Sequence, residues 1–271
     1  VFYYVAPQFW AWRQWRARIV RRRVRKALVI FPFELEFWQR WGVEAEFVGH
    51  PLADLDAPTL SREQFATQEG LNANEQWIAL LPGSRRKEVL MNLPEMLKAT
   101  QKLGSEWQYV LPVASTLDSN WLRAQVQHLA PSHDFVLRFS TDARNALAHC
   151  RAAVVASGTA TVMAAMMGTP FVMVYRVSPA TWTLGRPLVG LAHFAMVNLI
   201  AGEEVVPELV QSNFTAENIV AHVKPLLAET EVRRKMEEGL ARVRVRLQAA
   251  PSDGKQTAAG RAAAAVLAAL C

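Results

Sequence analysis

Cysteine is nearly absent. The chain has only Cys150 and Cys271, far apart and without metal-ligand spacing. A disulfide framework is excluded and a reducing compartment fits. No run of about 18 apolar residues occurs, so no segment reads as a membrane span. A signal peptide's charged, apolar and cleavage regions are also missing. Acids are missing from one stretch, Arg13–Lys26, which carries eight basic residues in fourteen positions. The net charge of +6 therefore belongs to one segment, and the rest of the chain is close to neutral. The six histidines form neither a triad nor a metal pattern. Neither GxxxxGK[ST] nor GxGxxG occurs, so the usual phosphate and dinucleotide fingerprints are excluded.

What is present is globular: 271 residues, 51% hydrophobic and 20% charged, enough for one large or two ordinary α/β domains. The chain begins with Val1, and Val1–Val5 already reads as a strand, so a fragment is expected. Gln8–Lys26 is predicted as a helix with an apolar stripe of Trp12, Trp15 and Ile19 among arginines. Ala27–Phe31 reads as a buried strand, Phe33–Trp41 as a helix and Glu46–Gly49 as a strand. Asp56, Pro58 and Ser61 mark a linker near residues 52–60. Ser61–Gly70 is expected to be a helix.

Strands are then predicted at Trp77–Leu81, Trp107–Val113, Phe135–Phe139, Ala152–Ala156 and Phe171–Tyr175. Helices are predicted at Pro94–Leu103, Leu117–Leu129, Thr141–His149 and Thr159–Met167. This alternation predicts a parallel sheet covered on both faces. A helix over Trp182–Leu191 and an irregular stretch over Met196–Gln211 follow. Helices at Thr215–Leu227, Glu229–Gln248 and Gly254–Leu270 complete the chain.

Two loops leave strands at their carboxyl ends, PGSRRKE (residues 82–88) and SGTAT (residues 157–161). In an open parallel sheet both open on the edge where ligands bind. Arg85 can supply a bidentate charge, and Ser84, Ser157, Thr159 and Thr161 hydroxyl donors, to a nucleotide diphosphate. The SGTAT turn reads equally as a plain crossover whose hydroxyls cap a helix. The Trp–Arg segment suits an anionic membrane, a phosphorylated ligand or nucleic acid, or is a packed helix with a solvated basic face.

YVAPQFWAWRQWR, ALVIFPFE, FVGHPLAD, LLPGSRRKEV, ASGTAT and NLIAGEEVVPELVQ, in this order and spacing, resemble the lipid-A-disaccharide synthase family. The resemblance implies an α/β fold of the GT-B type with two Rossmann-like parallel-sheet domains, the first incomplete here. Residues 1–54 are then the remainder of an N-terminal acceptor-side domain, 55–228 a nucleotide-sugar domain and 229–271 C-terminal helices. It implies transfer of 2,3-diacylglucosamine from its UDP form to 2,3-diacylglucosamine 1-phosphate, giving the β-1,6 disaccharide and UDP. No cofactor, metal or nucleic acid is implied. The general base is expected in an N-terminal region outside this sequence, so the fragment alone is expected to be inactive.

The resemblance assigns Ser84, Arg85, Ser157, Gly158, Thr159, Thr161, Asn198, Glu208 and Gln211 to the nucleotide. It assigns Trp12, Arg13, Trp15 and Arg16 to an anionic membrane surface or the acceptor phosphate. Glu88 is expected to cap or orient its loop, and His50 to be a hinge residue with a satisfied ring. A cytoplasmic protein peripheral to the inner membrane of a Gram-negative-type bacterium is implied, with its oligomeric state open. One departure stands out. The family reads SGTATLE where this chain has Met163, and methionine cannot accept hydrogen bonds from ribose hydroxyls as a carboxylate does. Another UDP-sugar GT-B enzyme, an epimerase or transferase, and a non-catalytic nucleotide-sugar- or membrane-binding paralogue remain rival readings.

Overall fold

The computed structural model describes residues 1–55, 57–132, 134–185, 190, 192–248 and 257–269. Its larger unit is a six-stranded parallel sheet. The strands are β4 (Trp77–Leu81), β5 (Gln108–Pro112), β6 (Val136–Ser140), β7 (Ala152–Ala156), β8 (Phe171–Tyr175) and β9 (Glu208–Val210), in spatial order β6-β5-β4-β7-β8-β9. β4 lies at the centre beside β7, with Leu81 opposite Val155. All residues of β4, β5 and β7 are buried, so both faces of the sheet are covered. That burial explains their uninterrupted apolar runs.

A smaller parallel sheet precedes it, ordered β1 (Phe2–Tyr4), β2 (Lys26–Val29) and β3 (Ala45–Phe47). α1 (Ala17–Arg23) links β1 to β2, and α2 (Phe33–Arg40) links β2 to β3. The helix expected over Gln8–Lys26 is much shorter. Residues 8–13 are a non-helical stretch with a turn at 9–11, Gln14–Arg16 is one 3-10 turn, and Lys26 already belongs to β2. The structure also reverses the face of the stripe. Ala17 and Val20 pack inward, whereas Trp12, Trp15 and Ile19 are exposed.

α3 (Arg62–Glu69) is opened by a Ser61 capping box and closed by Gly70 at φ +68°. α4 (Arg86–Leu103) starts eight residues before the expected Pro94, which sits inside the helix. α5 (Ser119–Leu129), α6 (Ala143–His149) and α7 (Thr159–Met167) complete the crossovers. α8 (Pro179–Gly185) begins earlier than predicted, and the rest of the helix expected to Leu191 lies mostly outside the described residues. Within the stretch expected to be irregular lie α9 (Met196–Ala201) and β9.

α10 (Ala216–Leu227) packs on α4, and α11 (Glu231–Leu247) packs on α7 and α9. α12 (Ala258–Ala268) returns instead to residues 48–54. The Arg261 side chain donates to the Val48 carbonyl, and the Ala258 N–H donates to Asp54. The Gly254 start expected for this helix, Asp56 and Cys271 lie outside the described residues. Among the described residues no helix is long and apolar enough to cross a membrane.

The chain crosses between the two sheets at His50. Its ring is buried against Phe31, its Nδ1 accepts from the Leu52 N–H, and the His50 backbone N–H donates to the Leu247 carbonyl. Burial lowers its pKa to about 4. The imidazole is therefore neutral and structural, with its proton on Nε2.

Candidate diphosphate site at the sheet edge

β4, β5, β6 and β7 all end on one edge of the large sheet, and a cavity of about 460 Å³ lies there. It is walled by the β4–α4 loop (Gly83, Ser84, Arg85) and the β7–α7 turn (Ser157, Gly158, Thr159). The two loops singled out in the sequence therefore face one space. Pro112 to Ser115, Thr141 and Ala143 close the remaining walls. Sequence reasoning missed these. Their one signal is position, since each follows a strand end on the ligand-binding edge.

The β7–α7 turn presents free backbone donors. Gly158 is the N-cap at φ +133°, and no side chain caps the helix. The Thr161 N–H donates to the Gly158 carbonyl, so the Thr159 and Ala160 N–H groups and the positive end of the helix dipole remain available to an anion. Thr159 is exposed beside them. The Ser157 hydroxyl donates to the Phe194 carbonyl at 2.9 Å, which leaves only its acceptor capacity for a ligand.

The β4–α4 loop is fixed from three sides. Asn92 Nδ2 donates to the Pro82 carbonyl at 2.9 Å, and the Thr116 hydroxyl donates to the Ser84 carbonyl at 2.5 Å. The Glu88 carboxylate accepts from the Ser84 and Arg85 N–H groups at 3.0 and 3.3 Å and from the Arg85 guanidinium at 2.9 Å. Gly83 is at φ +123°, and a Cβ there would lie 2.7 Å from Glu88 Cβ and Oε2. Only glycine fits this turn at that approach. The Arg85 side chain is 82% exposed and free to turn toward a ligand.

Four of the residues expected at the nucleotide are engaged elsewhere in this structure. Thr161 is fully buried, and its hydroxyl donates back to the Gly158 carbonyl at 2.7 Å. Asn198 is also fully buried. Its Oδ1 accepts from the N–H groups of Val205 and Val206, and its Nδ2 donates to the Val206 carbonyl and to Glu208. Glu208 takes the Phe194 and Ala195 N–H groups at 2.8 and 2.9 Å. The Gln211 amide bridges both backbone groups of Val177. These residues brace the loops behind the cavity and do not line it.

Trp12, Arg13, Trp15 and Arg16 also lie outside this cavity. Arg13 stacks over Trp12 at 4.4 Å and Arg16 over Trp15 at 5.7 Å. Just before them, Trp10 is buried and pinned. Its Nε1 donates to Glu34 at 2.8 Å, and Glu34 also accepts from the Ile30 and Phe31 N–H groups. Burial raises the Glu34 pKa to about 7 against the pull of these hydrogen bonds. Burial, followed by the Glu88 charge, raises Tyr175. Met163 lines the cavity on α7, and Glu88 is the only carboxylate among its described lining residues. Among the described residues no group of three or more His, Cys, Asp or Glu is placed to hold a metal.

Residues 1–262 match the family model described as lipid-A-disaccharide synthetase. The lipid-A-disaccharide synthase of Koribacter versatilis is 52% identical over 98% of this chain and 69% of its own length. That of Acidobacterium capsulatum is 49% identical over 91% of the chain and 64% of its own length. The chain thus spans about two thirds of the relatives it matches. The solved calicheamicin glycosyltransferase CalG4 superposes with a TM-score of 0.52 at 18% identity, covering 91% of this chain and 53% of its own, and shares the GT-B fold. The chain belongs to the lipid-A-disaccharide synthase family of glycosyltransferases.

Proposed function

We propose that this chain supplies the UDP-binding part of an enzyme making the lipid A disaccharide. The donor is UDP-2,3-diacylglucosamine and the acceptor 2,3-diacylglucosamine 1-phosphate. The observation that carries the reading is the meeting of PGSR and SGT at one cavity. An uncapped helix N-terminus lies there, with an exposed guanidinium beside it. Both favour the diphosphate, and Arg85 offsets the charge that grows as UDP leaves. The acceptor 6-hydroxyl displaces UDP at the anomeric carbon, deprotonated by a base that no residue named here supplies.

The Arg85→Ala variant is expected to bind UDP about tenfold to a hundredfold more weakly by calorimetry, the range for a hydrogen bond to a charged group. Unchanged affinity removes the assignment. Turnover is tested on the chain extended to its relatives' length, as UDP release from the acylated donor. Release that requires the acylated acceptor supports the synthase. Met163 favours a second reading, a nucleotide-sugar binder without turnover, which predicts UDP-sugar binding and no release.

The proposal extends to a peripheral site on the cytoplasmic face of an inner membrane. Trp12, Trp15 and Ile19 are each about half exposed. Among the described residues none of Arg13, Arg16, Arg18, Arg21, Arg22, Arg23 and Arg25 has an ion-pair partner. Exposed indoles beside unneutralised arginines suit an anionic lipid surface.

A further inference from the structure

A helix cap needs less than Glu88 provides. In a capping box the third helical residue takes one N–H, that of the N-cap. Glu88 takes that N–H, from Arg85, and two further donors: the Ser84 N–H and the Arg85 guanidinium. The Ser84 N–H lies before the helix and is not one of its orphan donors. All three donors belong to the loop that walls the cavity, and Glu88 is itself a lining residue. The carboxylate thus holds the groups that a diphosphate would engage.

The loop cannot easily yield more donors. Its carbonyls are tied to Asn92 and Thr116, and Glu88 leaves no room for a Cβ at Gly83. The Arg85 side chain is the open part, 82% exposed, and among the described residues Glu88 is its one ion-pair partner. A ligand phosphate and Glu88 therefore compete for the Arg85 guanidinium.

We propose that Glu88 is an internal anion that occupies the diphosphate donors when the cavity is empty. It gives up Arg85 when UDP binds and takes it back as UDP departs. It is a positioning residue, acting through Arg85. Its charge lowers UDP affinity and speeds product release, a step that commonly limits turnover. This inference rests on the reading that the cavity takes UDP.

The test is a double-mutant cycle on the whole chain with UDP as the probe. The variants are Glu88→Gln, Arg85→Ala and the pair, with calorimetry for affinity and surface plasmon resonance for the off-rate. Gln keeps a carbonyl for the Ser84 and Arg85 N–H groups and removes only the charge. E88Q is expected to bind UDP about twofold to fivefold more tightly with a correspondingly slower off-rate, the scale of one exposed ion pair. In the Arg85→Ala background the same change is expected to have almost no effect, because the competition runs through that guanidinium. Equal or weaker binding by E88Q, or the same ratio in both backgrounds, overturns the proposal and leaves Glu88 a cap. A second variant, Glu88→Asp, keeps the charge and shortens its reach to Arg85; intermediate affinity supports competition, and affinity below the parent overturns it. If Arg85→Ala and the parent bind UDP equally, or neither binds, the UDP reading itself falls.

Discussion

Replacing Asn198 by alanine separates a ligand from a brace. The side chain makes four hydrogen bonds, with the Val205 and Val206 N–H groups (2.9 and 3.0 Å), the Val206 carbonyl (2.9 Å) and Glu208 (2.8 Å). Val206 is fully buried, so its N–H would be left without a partner, at a cost of about 1–3 kcal/mol. Val205 is half-buried and can recover water, which makes its loss smaller. With the small cavity left behind, a total of about 2–4 kcal/mol is expected. For a protein of this size that is about 5–15 °C in melting temperature. Calorimetric melting and UDP titration below the transition are the assays. Melting should fall while UDP affinity changes less than about threefold, since Asn198 does not line the cavity. Unchanged melting with a tenfold loss of UDP affinity would refute the bracing role. Asn198→Asp gives an independent check. It places a second carboxylate beside Glu208, so it should destabilise at neutral pH and recover as the pair takes up a proton on acidification.

Gly83→Ala should cost about 1–3 kcal/mol in urea unfolding, because a Cβ at φ +123° is strained and collides with Glu88. UDP binding should weaken with it, and wild-type stability would contradict the loop geometry. Glu34, raised from 4.5 to about 7, binds a proton more tightly when folded. Its contribution is present below about pH 4.5 and is lost as pH rises through about 7, on the order of 3 kcal/mol, and Glu34→Gln should remove that decline. His50 runs the other way, its folded pKa being lowered to about 4. Its contribution is present above about pH 6.5 and is lost as pH falls through about 4, so His50→Asn should flatten the acid limb of urea unfolding. The Trp12→Ala, Trp15→Ala pair should reduce co-sedimentation with phosphatidylglycerol vesicles several-fold without lowering melting, as both rings are exposed.

The buried strands were the most legible part of the sequence. β4, β7 and β8 have the expected bounds because a strand covered on both faces must be apolar at every position. β9 escaped notice because it is three residues long at a sheet edge and begins with Glu208. Trp12, Trp15 and Ile19 misled because helical spacing identifies a stripe but not which way it faces. Pro94 misled because proline favours a helix start, whereas here α4 has already begun at Arg86. Within the site, the two glycine-bearing loops were legible from strand-to-helix punctuation. Asn198 and Thr161 were not, since a buried amide satisfied by backbone groups leaves no periodic trace in a sequence.

Three glutamates repeat one device. Glu34 takes the Ile30 and Phe31 N–H groups and the Trp10 indole. Glu208 takes the Phe194 and Ala195 N–H groups and the Asn198 amide. Glu88 takes the Ser84 and Arg85 N–H groups and the Arg85 guanidinium. Each carboxylate joins two adjacent backbone donors to one side-chain donor and so fixes a loop. Such acids invite assignment as ligands, yet most of their acceptor capacity is engaged by the chain. What separates them is exposure. Glu34 is 1% exposed and the Glu208 side chain 13%, so both are largely shielded. The Glu88 side chain is 33% exposed, in the wall of the cavity, and its guanidinium partner is more open still. The same arrangement that is an anchor in the first two is open to displacement in the third, where the proposed diphosphate would take over the Arg85 guanidinium.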